Sequence, residues 1–265
     1  MVRVRIIQNR PQHDKTFNIN MILKNFIKDD DFDILVFPEF FNSPYGIKYF
    51  TEYAEELKEG NQTYDALKLF SETYENKYIV AGSIPEKDKD KYYNTCTVWY
   101  NGSIICTYRK INLFDINIKK TGVRFSESSV LSPGTTPAMF DTPWGKIGLG
   151  ICFDLRFNQL ANFYARNKCF MIIYPGCFTQ FTGNLHWELL LRARAIDSRC
   201  FIVGCSTAVN PHLEYKSYGH SMIVAPLGNI LGQLDDKVGI INQIIYPDDV
   251  KDMRESIPEN HIYYC

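Results

Sequence analysis

At 265 residues the chain can bury a large core, and with no internal repeat, low-complexity run or linker to divide it, a single domain over 1-265 is expected. Its 29 basic and 30 acidic residues leave a net charge of -1, which provides no field for nucleic acid or an anionic membrane surface. No apolar run approaches the roughly 18 residues that span a bilayer, so a soluble, cytoplasmic protein with a small-molecule partner is expected.

The chain starts with a strand pattern at 2 to 8 (Val2, Val4, Ile6), then an amphipathic helix from Thr16 to Lys28 and a second apolar strand from Asp33 to Phe37. Strand, helix, strand is an α/β signature. The second strand runs into Pro38-Glu39, which sets a carboxylate at the C-terminal end of a buried strand, where open α/β sheets hold their ligands. Glu39 reads equally as a cap for the next segment or as a catalytic acid or base. Residues 62 to 76 predict a helix, and 77 to 82, 94 to 100 and 103 to 108 predict strands, with Asn101-Gly102 as a hairpin turn between the last two. Antiparallel pairs beside α/β units imply a mixed sheet. The hairpin leads to Arg109-Lys110, where Tyr108, Ile111 and Leu113 flank the lysine and argue against simple exposure.

Residues 115 to 131 lack periodicity and read as a loop, long enough to line or cover a site. Gly145 to Phe157 (GKIGLGICFDLRF) then sets Ile147, Leu149 and Ile151 on a buried strand whose Gly148 and Gly150 imply a close approach. From Asp154 the period becomes helical, with Leu155, Leu160, Phe163 and Tyr164 in one stripe. Cys152 sits on the turn between strand and helix, near a helix N-terminus that favours thiolate over thiol. Cysteine is also among the most buried residue types, so packing is the competing reading. Further on, a strand at 169 to 174, a loop at 175 to 183, a helix at 186 to 198 and strands at 200 to 206, near 220 to 224 and at 239 to 246 are expected. The last 20 residues are less regular.

The eight cysteines form no CxxC pair and the five histidines no HxxxH set, so neither disulfides, nor a metal site, nor a cofactor is expected. If Glu39, Lys110 and Cys152 converge, they have what thiol attack on an amide needs. Glu39 can take the thiol proton and return it to nitrogen, and Lys110 with the backbone N–H of Phe153 can hold the oxyanion. Glu127 can position Lys110 or activate the water that hydrolyses the acyl-enzyme.

FPEFF at 37 to 41, YRKINLFD at 108 to 115 and GLGICFDLRF at 148 to 157 resemble, in order, the three catalytic signatures of the nitrilase superfamily of carbon-nitrogen hydrolases. The resemblance implies a four-layer αββα sandwich, usually a homodimer paired through helices beside the nucleophile. It implies Glu39 as general base, Lys110 as oxyanion residue, Cys152 as nucleophile and Glu127 as supporting glutamate. Phe153-Asp154 after the cysteine, where true nitrilases usually have Trp-Glu, favours amides over nitriles. RFSESSVLSPG (124 to 134), IYPGCF (173 to 178) and the TGxxHWELL form (182 to 190) resemble the omega-amidase branch, which hydrolyses the terminal amide of 2-oxoglutaramate and 2-oxosuccinamate. LLRARAI (190 to 196) and SYGHSM (217 to 222) are shared with the deaminated-glutathione amidases, the alternative branch. A silent scaffold on the same fold and a metal-dependent amidohydrolase are the rival classes. Arg156 is a candidate for a substrate carboxylate, since guanidinium matches one bidentately, or else an ion pair supporting the site. Tyr45 and Phe178 are candidates for lining the pocket.

Overall fold

The computed structural model describes residues 1–27, 29–119 and 123–258. Two six-stranded sheets pack face to face. The first runs β14 (Gly239–Ile245), β1 (Val2–Gln8), β2 (Ile34–Val36), β3 (Tyr78–Asp88), β4 (Lys91–Tyr100), β5 (Ser103–Arg109). The second runs β13 (Ile230–Gln233), β12 (Met222–Val224), β11 (Phe201–Ser206), β10 (Cys169–Gly176), β9 (Gly145–Leu149), β8 (Ala138–Thr142). In each, three central strands are parallel and the flanking ones antiparallel, as a mixed sheet requires.

The apolar runs of the central strands are continuous because both faces are covered. Val4, Ile6, Ile34, Val36 and Val80 point between the sheets, while their neighbours Ile7, Leu35, Ile79 and Ala81 meet the helical layer that includes α3 (Gln62–Thr73). On the far side α4 (Asn158–Arg166) and α5 (Gln180–Ser198) cover β9, β10 and β11. The implied αββα layering is therefore the observed one. No helix among the described residues is long and apolar enough to cross a membrane.

Several expectations need correction. The first helix is α1 (Lys15–Asn20) continued by a π-type turn over Met21–Phe26, and Lys28 lies outside the described residues. Residues 115 to 131 are not a plain loop. They pair as β6 (Asp115–Ile118) and β7 (Val123–Ser126) and close in a 3₁₀ turn at Glu127–Ser129, with 120 to 122 outside the described residues. The helix after Cys152 begins at Asn158, preceded by a 3₁₀ turn over Cys152–Arg156, and Phe163 faces outward at 40% exposure. Gly176 still belongs to β10 and α5 begins at Gln180, which shortens the loop expected over 175 to 183. The elements α2 (Ile47–Glu52), β8, β13 and α6 (Asp248–Ser256) fall where no element is expected from periodicity. The final residues, including His261 and Cys265, lie outside the described residues.

Candidate active site

Glu39 follows β2, Lys110 follows β5, Cys152 follows β9 and Cys177 follows β10, so the strand directions deliver all four to one end of the sandwich. Glycine makes the Cys152 approach possible: a Cβ on Gly150 would lie 2.5 Å from the Tyr174 ring, and one on Gly148 equally close to Tyr164. Those rings are the close approach that the sequence implied. Cys152 itself sits at φ 47, a left-handed conformation that a non-glycine residue keeps only when its surroundings impose it.

What imposes it is Asp154. Its buried carboxylate accepts from Ile151 N (2.9 Å), Tyr108 Oη (2.7 Å), Asn112 N (2.9 Å) and Asn112 Nδ2 (2.8 Å). One side chain thus ties the Cys152 turn to the segment that carries Lys110. Asp154→Asn should lower the melting temperature by roughly 6 °C or more, since an amide turns an N–H₂ towards these donors at about 1–3 kcal/mol per broken bond. A melting curve unchanged from wild type would remove this role.

Lys110 and both glutamates are fully buried. The ammonium donates to Glu39 Oε1 at 3.0 Å and to Glu127 Oε1 at 3.1 Å, and forms an ion pair with Glu127 Oε2 at 2.9 Å. Burial opposes its charge, but the two carboxylates outweigh burial and hold it well above the ordinary lysine range. Glu127 also accepts from Tyr45 Oη (2.7 Å) and Phe114 N (2.7 Å), so protein donors engage both of its oxygens. Glu39 Oε1 accepts from Asn94 Nδ2 as well (2.8 Å), whereas Oε2 is buried with no hydrogen-bond partner. Burial lifts the Glu39 carboxyl, with Lys110 pulling against it, and Cys152 is close enough to influence it.

Burial, then Glu39, also pushes the Cys152 thiol up, against the pull of Lys110. This corrects the expected thiolate: the cysteine heads a five-residue 3₁₀ turn inside the core, and desolvation exceeds what so short a dipole returns. Because Asp154 N closes the turn on Ile151 O, the N–H of Phe153 precedes the first intraturn bond and heads the turn.

Arg156 lies over the rings of Phe153 (5.5 Å) and Phe178 (5.1 Å), with its guanidinium nitrogens 3.4 Å from His186 Nδ1. Guanidinium only donates, so His186 accepts as a neutral ring, consistent with burial and Arg156 depressing its titration. No carboxylate among the described residues pairs with Arg156. Phe178 packs on Trp187 and lines the narrow space of about 190 Å³ beside Cys152. Tyr45 lines the neighbouring cavity and an outer cleft shared with Tyr49, Phe125 and Tyr215.

Sequence reasoning missed Asn94, Asp154 and Tyr215. Asn94 left a signal, being an amide within a strand of apolar and β-branched residues. Tyr215 left none: it follows an irregular segment, yet its hydroxyl donates to the Cys177 carbonyl (2.5 Å) and its ring lies 4.3 Å from Tyr45.

The chain is similar to a hydrolase of Schizosaccharomyces pombe, with 42% identity over 259 residues, 97% of this chain and 80% of that one. It is similar to the Homo sapiens omega-amidase, 44% identical over 230 residues that cover 85% of this chain and 80% of that enzyme. Among solved structures, Nit3 of Saccharomyces cerevisiae, described as a member of branch 10 of the nitrilase superfamily, superposes with a TM-score of 0.86 at 34% identity, over 97% and 94% of the two chains. The model of the carbon-nitrogen hydrolase family matches residues 3–255, and the chain belongs to that family.

Proposed function

We propose that the protein is an omega-amidase that hydrolyses the terminal amide of 2-oxo-dicarboxylic acid monoamides, 2-oxoglutaramate and 2-oxosuccinamate, through a Cys152 acyl-enzyme, as one domain spanning the chain. The observation that carries the chemistry is the pair of unlike oxygens on Glu39, one held by Lys110 and Asn94 and the other unpartnered near Cys152. Glu39 takes the thiol proton as sulfur attacks the amide carbon. Of the three Lys110 N–H groups, one serves Glu39 and one the Glu127 pair, which leaves the third, with the Phe153 N–H, for the oxyanion. Glu39 then gives its proton to nitrogen, the C–N bond breaks and ammonia leaves. Water attacks the thioester with Glu39 again as base, the C–S bond breaks and the thiol regains its proton. The saturated carboxylate of Glu127 favours holding Lys110 over activating water.

The substrate class rests on the relatives named omega-amidase and on Arg156, a guanidinium framed by two aromatic rings beside Cys152 and held by His186 with no carboxylate partner among the described residues. Arg156→Lys should raise KM for 2-oxoglutaramate about tenfold or more by losing a bidentate contact, and leave KM for a neutral amide nearly unchanged. An equal rise for both would reject direct binding. Exposed Phe163 on α4 and Phe181, Leu185, Leu189 and Ile196 on α5 support a homodimer paired through those helices. Unpaired cysteines support a cytoplasmic location. Ammonia release by the wild-type protein from 2-oxoglutaramate, beside deaminated glutathione, tests the reading. Turnover of the first supports it, and turnover of the second alone moves the protein to the sister branch.

A further inference from the structure

A guanidinium offers a carboxylate two edges, the end-on pair Nη1 and Nη2 and the side-on pair Nε and Nη2. In Arg156 the end-on edge is taken. Nη1 and Nη2 each lie 3.4 Å from the same atom, His186 Nδ1, so the imidazole sits on the midline of that edge and accepts from both. Among the described residues Nε has no hydrogen-bond partner, which leaves the side-on edge for a ligand. This chain already grips carboxylates by that edge: Arg3 holds Asp33 through Nε (3.2 Å) and Nη2 (2.7 Å), and Arg109 holds Glu86 through the same two atoms.

Helix α5 fixes Arg156 at two points. His186 holds the guanidinium from the second turn. Arg194, about two turns on, donates from Nε to the Leu155 carbonyl (3.0 Å) and from Nη2 to the Arg156 carbonyl (3.2 Å). Arg194 has its own counter-ion in Asp197 (2.9 Å), as Arg5 has in Asp29, whereas Arg156 is held by a neutral ring. A carboxylate at position 186 would hold the fork equally well but cancel its charge. Histidine orients the cation and leaves it free to attract an anion, in a group that lines the space beside Cys152.

We propose that His186 sets the substrate preference of the enzyme: as a neutral acceptor it occupies the end-on edge of Arg156 and presents Nε and Nη2 to the carboxylate of the 2-oxo-dicarboxylic acid monoamide. His186 is a positioning residue that acts through Arg156 and does not itself line the space beside Cys152.

The inference rests on the omega-amidase reading, and its test separates the two. His186→Leu should raise KM for 2-oxoglutaramate roughly tenfold, the worth of a charge-assisted hydrogen bond, with kcat changed less than about threefold and KM for a neutral linear amide such as butanamide unmoved. His186→Asn keeps a neutral acceptor at the place of Nδ1 and should restore KM. His186→Asp has the same shape and a better hold on the fork, so its melting temperature should not fall, yet KM for 2-oxoglutaramate should rise tenfold or more because the charge is cancelled. A role in packing alone predicts the reverse for that variant, a stable protein with the wild-type KM. In an Arg156→Lys background, His186→Leu should add less than about threefold, since the residue it positions is already lost. Wild-type KM in His186→Leu or His186→Asp, an equal rise for both amides, or a full additive rise in the double variant would overturn the assignment. A wild-type protein silent on 2-oxoglutaramate would instead overturn the omega-amidase reading.

Discussion

Cys152→Ala should abolish ammonia release while the protein keeps its fold. The side chain is 4% exposed and loses only its sulfur, and alanine is no more strained at φ 47 than cysteine, so the packing cost is small. Catalysis, by contrast, loses the only atom that forms the acyl bond. In an unrelated serine hydrolase, removing the nucleophile costs roughly a million-fold in kcat, which sets the scale. The measurement is ammonia release beside a thermal melt, and residual turnover above about a hundredth of wild type would rule Cys152 out as nucleophile.

The same assignment carries a pH dependence. Burial raises Glu39 above the ordinary carboxyl value of 4.5, against the pull of Lys110, and raises the Cys152 thiol, so the thiol proton leaves only with a base beside it. Activity should fall on acidification as Glu39 takes a proton, with a midpoint above 4.5. Alkylation of Cys152 by iodoacetamide should depend on Glu39 as base, and Glu39→Gln should slow it sharply. An unchanged alkylation rate in Glu39→Gln would mean that the thiolate forms without help, as a helix N-terminus alone would have it.

The strands that deliver Glu39, Lys110 and Cys152 were legible because each is an apolar run ending abruptly in a residue that burial disfavours. The four layers were not legible from periodicity. A strand buried on both faces, such as β2 or β10, has no alternation to show which side meets the other sheet, so the layering came from resemblance. The pairing of β6 with β7 was missed because each strand is only four residues long and β6 alternates merely exposed with half-buried positions. The thiol's state was misread for a similar reason: sequence shows a turn before a helix, but not that the turn is sealed beneath Phe114, Phe153 and Phe178. Tyr215 depends on an irregular segment folding back over the strand ends, and local pattern does not encode that contact.

Lys110→Ala should reduce turnover about 100- to 1,000-fold, as removal of an oxyanion donor does, and should also destabilise the protein. Lys110 is the shared counter-ion of two fully buried carboxylates, and breaking a buried pair costs about 3–5 kcal/mol because the remaining charge is uncompensated. At about 2–4 °C per kcal/mol, the melting temperature should fall by roughly 6–20 °C. The sign fixes where to measure. Lys110 is held above 10.5, so its contribution is complete below that pH and fades only as pH rises through the elevated folded value. At pH 7 the variant therefore shows the full loss. Without the ammonium, Glu39 and Glu127 are like charges in the core, which drives Glu39 further towards its protonated form and removes the base as well as the oxyanion partner. The two losses separate by temperature: assayed well below the variant's own melting point, the folded fraction is complete and the remaining defect is catalytic. A folded Lys110→Ala protein within tenfold of wild-type kcat would show that the oxyanion is held by something other than this ammonium.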